Sequence, residues 1–270
     1  MAVLTFSSAK GGVGKTTLAV NIAGEFARRG LDTTVIDCDL NQHATQFGAA
    51  FKELNPEIPL HFIGGVNKNS IIQSLKAASS TSDIVIIDLP AGTSELSLRA
   101  IIKSHLVIIP SQKTTLDAKD ALRTAFQISE ASELSATEIA SVLVWSMVGS
   151  RYETGTEKFV RSEMLGMLTE PERAIMPVSF LRYDAFPSGF VHGLLPYQMS
   201  AHAGRTMPHP RGDGSAGVIR VPTSAAKAAE NIVAITNDIY ERLNMLVANL
   251  PPGKVMLTPA VTEQIRKQMS

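Results

Sequence analysis

Between the short apolar run Val3-Leu4-Thr5-Phe6 and a helix-patterned stretch lies the segment Lys10-Gly11-Gly12-Val13-Gly14-Lys15-Thr16-Thr17. Residues of these types in this order can hold a polyphosphate. Small residues let backbone N–H groups wrap the phosphates closely, and the helix that follows points its positive end at their charge. Lys15 is placed to reach the β- and γ-phosphates, and the Thr16 hydroxyl to hold a magnesium ion. The strict pattern G-x-x-x-x-G-K-[ST] is missed by one position, because Ala9 occupies the first glycine. A second lysine, Lys10, opens the loop instead. The elements N-K-x-D and T-K-x-D that usually recognise guanine do not occur, so the expected ligands are ATP and Mg2+.

Three carboxylates stand at the ends of other apolar runs. Asp37 and Asp39 lie two apart after the second run, so both side chains can face the same way. Asp88 closes the run Ile84-Val85-Ile86-Ile87. Metal and thiol chemistry find little else. His192, His202 and His209 lie in or near one Gly- and Pro-rich stretch but lack the spacing of a metal site. The single Cys38 excludes an intrachain disulfide, a cysteine zinc site and a cluster cradle within one chain, and it suits a reducing compartment. Trp145, at the end of a run, reads as core.

The elements that must position these groups follow from the pattern. Short, almost wholly apolar runs near 2–7, 33–37, 84–88, 105–109 and 139–145 read as strands buried on both faces of a parallel sheet. Weaker candidates lie at 59–63 and 175–180. Helical spacing appears at 15–29, with Leu18, Ile22 and Phe26 four apart, and again at 115–131. This alternation predicts an α/β fold, a doubly wound and mostly parallel sheet with helices on both faces. The whole chain, 1–270, is expected to form one such domain. A flexible loop is expected at 200–217, a helix from Thr223 to about Val247, and a short tail at 251–270 after Pro251-Pro252-Gly253.

Hydrophobic residues make up 44% of the chain and charged residues 19%, which suits a packed core. The formal net charge is zero, so no global field announces a nucleic acid or a membrane. Residues 1–200 carry 17 Lys and Arg against 20 Asp and Glu, whereas residues 201–270 carry 8 against 5. No apolar run approaches the roughly 20 residues of a membrane span. A soluble, cytoplasmic protein is expected.

The segment Lys10 to Thr17 resembles the deviant Walker A loop of the ParA/MinD superfamily of P-loop ATPases. Asp37-Cys38-Asp39 is similar to that family's switch I motif, D-x-D-P-Q, but Leu40-Asn41-Gln42 follows, so the proline is missing and the glutamine displaced. The stretch Asp83-Ile-Val-Ile-Ile-Asp88-Leu-Pro-Ala-Gly92 looks like its Walker B strand and switch II. The resemblance is strong over residues 1–130 and thin afterwards. Thr93-Ser94-Glu95-Leu96, Ile109-Pro110, Thr115-Leu116-Asp117, Ala121-Leu122 and Tyr183-Asp184-Ala185-Phe186 resemble the VirC-type ATPases of T-DNA transfer within it.

The resemblance implies roles. Nucleotide would be held by residues 10–17, with Gly92 offering its amide to the γ-phosphate and the Pro222 backbone lying against adenine. Thr16, Asp39 and Asp88 form the implied magnesium set, Asp88 acting through a bound water. Lys10, Lys15 and Asp39 form the implied catalytic set, Asp39 orienting the attacking water while Asp37 is structural. Arg151 resembles an arginine near the nucleotide. The position of Lys10 at the mouth of a loop already served by Lys15 suits action in trans, on the nucleotide of a second copy.

The function expected is a DNA-partition or DNA-transfer ATPase. ATP would drive homodimer formation, the dimer would hold DNA non-specifically, and a centromere-binding or transfer-complex partner would trigger hydrolysis. The chain begins at its first strand, like the short partition form without an N-terminal helix-turn-helix. DNA contact would then fall to Arg205, Arg211, Arg220 and Lys227 in the basic last third. A MinD-like positioner at a membrane surface, or a positioner of a protein cargo, is the alternative. The membrane reading needs the amphipathic piece at 258–270, which offers Arg266 and Lys267 but only Val261, Ile265 and Met269 on its apolar side. A small-molecule enzyme on the same scaffold is the third class, and no second substrate pocket is marked.

Overall fold

The structure, a computed structural model, describes residues 1–149, 152–210 and 215–269. Six strands alternate with helices over the first half of the chain. In order they are β1 (Ala2–Phe6), α1 (Lys15–Arg28), β2 (Thr33–Asp37), α2 (His43–Leu54), β3 (Leu60–Ile63) and α3 (Ile71–Ser79). Next come β4 (Ile84–Asp88), α4 (Glu95–Ile101), β5 (Leu106–Ser111), α5 (Thr115–Ser135) and β6 (Ala140–Trp145). Four short helices follow, α6 (Gly155–Gly166), α7 (Pro171–Ala174), α8 (Ala185–His192) and α9 (Pro196–Ser200). The chain then forms β7 (Thr206–Pro210), β8 (Ala216–Arg220), α10 (Ala225–Val247) and α11 (Pro259–Met269).

The six strands form one parallel sheet in the order β3-β2-β4-β1-β5-β6. Side chains alternate between its faces. Leu4, Phe6, Ile84 and Ile86 join one buried cluster, with Leu18, Ile22 and Phe26 of α1. Val3, Val85 and Ile87 join the other, under α3 to α6. The four-apart spacing of α1 thus buries a full helix face, each large side chain contributing roughly 1.5–3 kcal/mol. Strand β1 sits where the order reverses, so its carboxyl end opens on the crevice where such sheets bind ligands. Register places Phe6 of β1, Asp88 of β4 and Asp37 of β2 side by side at that edge.

Two stretches differ from the expectation. Residues 175–181 run beside β6 through single parallel bridges at Ile175 and Leu181 and form no continuous strand. The expected loop at 200–217 instead contains most of an antiparallel hairpin, β7–β8. Its anchors are Met207 and Ile219, a cross-strand pair packed against the first cluster. Pro208 and Pro210 alternate with inward residues, and a two-stranded ribbon tolerates proline where an N–H would point outward. His209 of this hairpin meets His192 of α8 with ring centroids 5.2 Å apart.

Candidate active site

The loop between β1 and α1 is held in a defined shape by long-range bonds. Gln112 donates to the Gly12 carbonyl at 3.1 Å, and the Ser146 hydroxyl donates to the Val13 carbonyl at 2.7 Å. The Ala9 N–H donates to the hydroxyl of Thr124 on α5 at 3.2 Å. Gly12 and Gly14 adopt φ of 76° and 86°, a left-handed conformation that L side chains resist. Gly14 serves as the N-cap of α1 without any side-chain cap, which leaves the first-turn N–H groups facing the crevice. That is a helix end prepared for an anion.

Lys15 lies buried beneath the loop, where it donates to Ser8 Oγ at 3.0 Å and to the Lys10 carbonyl at 3.3 Å. Burial lowers its pKa, while the carboxylates of Asp88 and Asp39 act against that shift. Asp88 is wholly buried, and among the described residues neither of its oxygens has a hydrogen-bond partner of good geometry, although the Thr16 hydroxyl lies close. Burial pushes its carboxyl up to about 7, against the pull of the nearby Thr16 hydroxyl and Lys15, with Asp37 and Asp39 pushing the same way as burial. Two orphaned carboxylate oxygens beside a hydroxyl are hard donors, and they fit a magnesium ion that keeps several of its waters.

The other implied residues fall into three groups. Asp37, fully buried, accepts from the backbone N–H and hydroxyl of Thr45, so it caps the start of α2. Asp39 follows it at the crevice, half-buried. The Gly92 N–H donates to the Ser8 carbonyl at 3.1 Å, which puts it beside the loop but with its amide already engaged. Lys10 is exposed at the mouth and pairs with buried Asp117 of α5 at 2.9 Å. Asp117 and Thr124 stand seven apart on the helix face that carries the loop, and no sequence motif marks that aspartate for the role.

Two further groups come from the last third of the chain. The cleft wall beside the loop is formed by Gln112, Lys113, Ser146, Met147, Gly149 and Arg182. Pro222 stands before the N-cap Ser224 of α10 and its carbonyl accepts from Ala225. Arg205 and Arg220 stand together at the hairpin base, since Val221 bonds back to Arg205 and Thr206 pairs with Arg220. Lys227 is exposed on α10. Among the described residues none of these three cations forms an ion pair. Arg151 and Arg211 lie outside the described residues.

A parallel sheet with this reversal, a glycine loop after β1, an uncapped helix end and a buried lysine and aspartate beneath it define a P-loop nucleotide-binding protein. Residues 4–266 match the CobQ/CobB/MinD/ParA nucleotide binding domain, and the chain belongs to that family, whose ParA/MinD members are ATPases. It is 33% identical to Protein ParA of Rhizobium radiobacter over 150 residues, 55% of this chain and 65% of that protein. The chain thus spans a little under two thirds of that relative's length. With Protein virC1 of Rhizobium radiobacter it is 26% identical over 197 residues, 72% of this chain and 83% of the relative. The septum site-determining protein MinD of Pyrococcus horikoshii OT3, solved with Mg-ADP, shares the fold with a TM-score of 0.58 at 14% identity. That match covers 91% of this chain and 98% of the other.

Proposed function

We propose that the chain hydrolyses ATP with magnesium, dimerises when ATP is bound, and in that form holds DNA non-specifically as a partition or DNA-transfer ATPase. A centromere-binding or transfer-complex protein would stimulate hydrolysis and release the dimer. The observation that carries this reading is Lys10. It is a second cation, exposed at the mouth of a cradle whose interior already holds Lys15. Around that mouth Leu40 is 97% exposed and Leu116 69% exposed, each one residue from a site carboxylate. Apolar side chains so placed suit a face that a second copy covers.

Thr16 and Asp88 would hold the magnesium ion, with Asp39 at its edge. When bound, the ion neutralises charge on the β- and γ-phosphate oxygens. Lys15 and the amides of residues 11–17 would bind and orient the triphosphate. Asp39 would orient the attacking water, which calls for a placed carboxylate more than a strongly basic one. Asp39→Ala is therefore expected to keep ATP affinity and lose most turnover, measured as steady-state phosphate release. Release at the wild-type rate would take Asp39 out of the reaction. For Gly92 to serve the γ-phosphate, its bond to Ser8 must open, which would couple the loop after β4 to the nucleotide.

DNA binding is expected to need ATP and to fall steeply with salt, because non-specific contact rests on released counterions. Arg205 and Arg220, with Arg211 and Lys227, are the proposed contacts, and pairing two copies would double them. The test is electrophoretic retardation of DNA with ATP, with ADP and without nucleotide, across a salt series. Equal retardation in all three states would remove the switch. No retardation at low salt, with sedimentation on anionic vesicles instead, would favour the membrane positioner. That positioner has a difficulty here. Ile265 and Val261 of α11 pack into the second cluster, and Arg266 lies over Phe126 of α5 at 6.0 Å, so those two apolar side chains are already covered.

A further inference from the structure

Asp39 is held from three sides. Its backbone N–H donates to Asp37 Oδ1 at 3.1 Å, and Asp37 Oδ2 is fixed in turn by Thr45 of α2. Its carbonyl accepts from the side chain of Gln42, whose Oε1 accepts from the Gly65 N–H at 2.5 Å. The backbone is thereby tied to α2 and to the turn after β3. The carboxylate has a separate clamp. Asp39 Oδ1 accepts from the Asn41 N–H at 2.9 Å and from Asn41 Nδ2 at 3.0 Å. Both donors land on one oxygen. Oδ2 has no hydrogen-bond partner among the described residues.

We propose that Asn41 is a positioning residue for hydrolysis, which fixes Asp39 Oδ1 so that Oδ2 is presented to the attacking water. The inference rests on the ATPase reading and on the role of Asp39 within it. An aspartate side chain turns about two bonds, and a carboxylate free to turn spends much of its time misaligned. Two donors on Oδ1 remove that freedom. They also draw charge to the engaged oxygen and leave the lone pairs of Oδ2 as the open acceptor. Asn41 stands where the family pattern places glutamine, one methylene longer. The shorter side chain folds back onto the carboxylate two residues earlier, as asparagine does in local turns. Asn41 is itself exposed, so its side chain serves this contact rather than the core.

The test compares the full chain with Asn41→Ala, Asn41→Ser, Asn41→Asp and Asp39→Ala by phosphate release and fluorescent ATP titration. Asn41→Ala is expected to lower kcat roughly tenfold, less than the hundredfold that a 1 Å misplacement can cost. KM and ATP affinity should stay within about twofold, since the phosphate cradle is untouched. Asn41→Ser, whose hydroxyl can still donate, should recover part of kcat, and Asn41→Asp should fall below alanine through repulsion. Thermal midpoints should match, as the residue is exposed. Full kcat in Asn41→Ala, or serine no better than alanine, would overturn the inference while an inactive Asp39→Ala left the ATPase reading standing. Undiminished turnover in Asp39→Ala would remove Asp39 from the reaction and the inference with it, while the ATPase reading would fall only if the unaltered chain released no phosphate from ATP.

Discussion

Lys15→Ala is expected to bind ATP at least tenfold more weakly than the wild type. The ammonium lies beneath the loop, buried, within reach of Ser8 Oγ and the Lys10 carbonyl. A charged hydrogen bond is worth roughly 1.5–3 kcal/mol, and here it also offsets phosphate charge in a partly desolvated cradle, so the loss should be at least that large. At about 1.4 kcal/mol per decade, affinity falls between tenfold and more than a hundredfold. Lys15→Gln, which keeps length and a donor but no charge, should fail almost as badly. The buried position raises the question of folding. A thermal melt of the variant separates loss of the ammonium from loss of the fold, since alanine removes both a buried charge and its bonds to Ser8 and the Lys10 carbonyl. Fluorescent ATP titration decides the matter. Wild-type affinity in either variant would remove the assignment of residues 10–17 to the triphosphate.

The shape of that loop was legible because it is set locally. Strand, glycine loop and helix lie within 28 residues, and the φ values of Gly12 and Gly14 need nothing from the rest of the chain. Asp88 could be read for a related reason, since a carboxylate closing an apolar strand must meet something at the sheet edge. The supports of the loop were not legible. Gln112, Thr124 and Ser146 reach it from more than 90 residues away, through ordinary polar side chains that no pattern marks. Asp117 was visible only as part of a resemblance, because its pairing with Lys10 depends on how α5 crosses the loop. Around switch I, the departure after Asp39 was plain in sequence, but its consequence needed the geometry of Asn41 and Gln42. The hairpin at β7–β8 misled for a simple reason. Glycine and proline usually punctuate loops, and here the pairing of Met207 with Ile219 on the core outweighs them.

Lys10 is expected to act on the nucleotide of a second copy. In the single chain it is exposed and paired with Asp117, while the interior of its own cradle is served by Lys15 and the backbone. Only the lysine end of this pair reaches solvent, Asp117 being buried, so a triphosphate approaching across an interface must offer more charge than that one carboxylate to draw the ammonium over, and three phosphates do. A cation supplied in this way acts as an arginine finger does, stabilising charge that the other copy's loop leaves open. Dimerisation would then depend on the γ-phosphate, and hydrolysis would loosen it. Lys10→Ala and Lys15→Ala are each expected to lose ATPase activity when alone. Mixed, they form some dimers in which one site joins an intact Lys15 to an intact partner Lys10, and part of the activity should return. Light scattering with ATP should find Lys10→Ala monomeric where the wild type dimerises. Restored activity on mixing, together with that monomer, is the signature of action in trans. A fully active Lys10→Ala protein that dimerises in wild-type proportion would end the idea, and Lys10 would be a surface lysine held by Asp117 and nothing more.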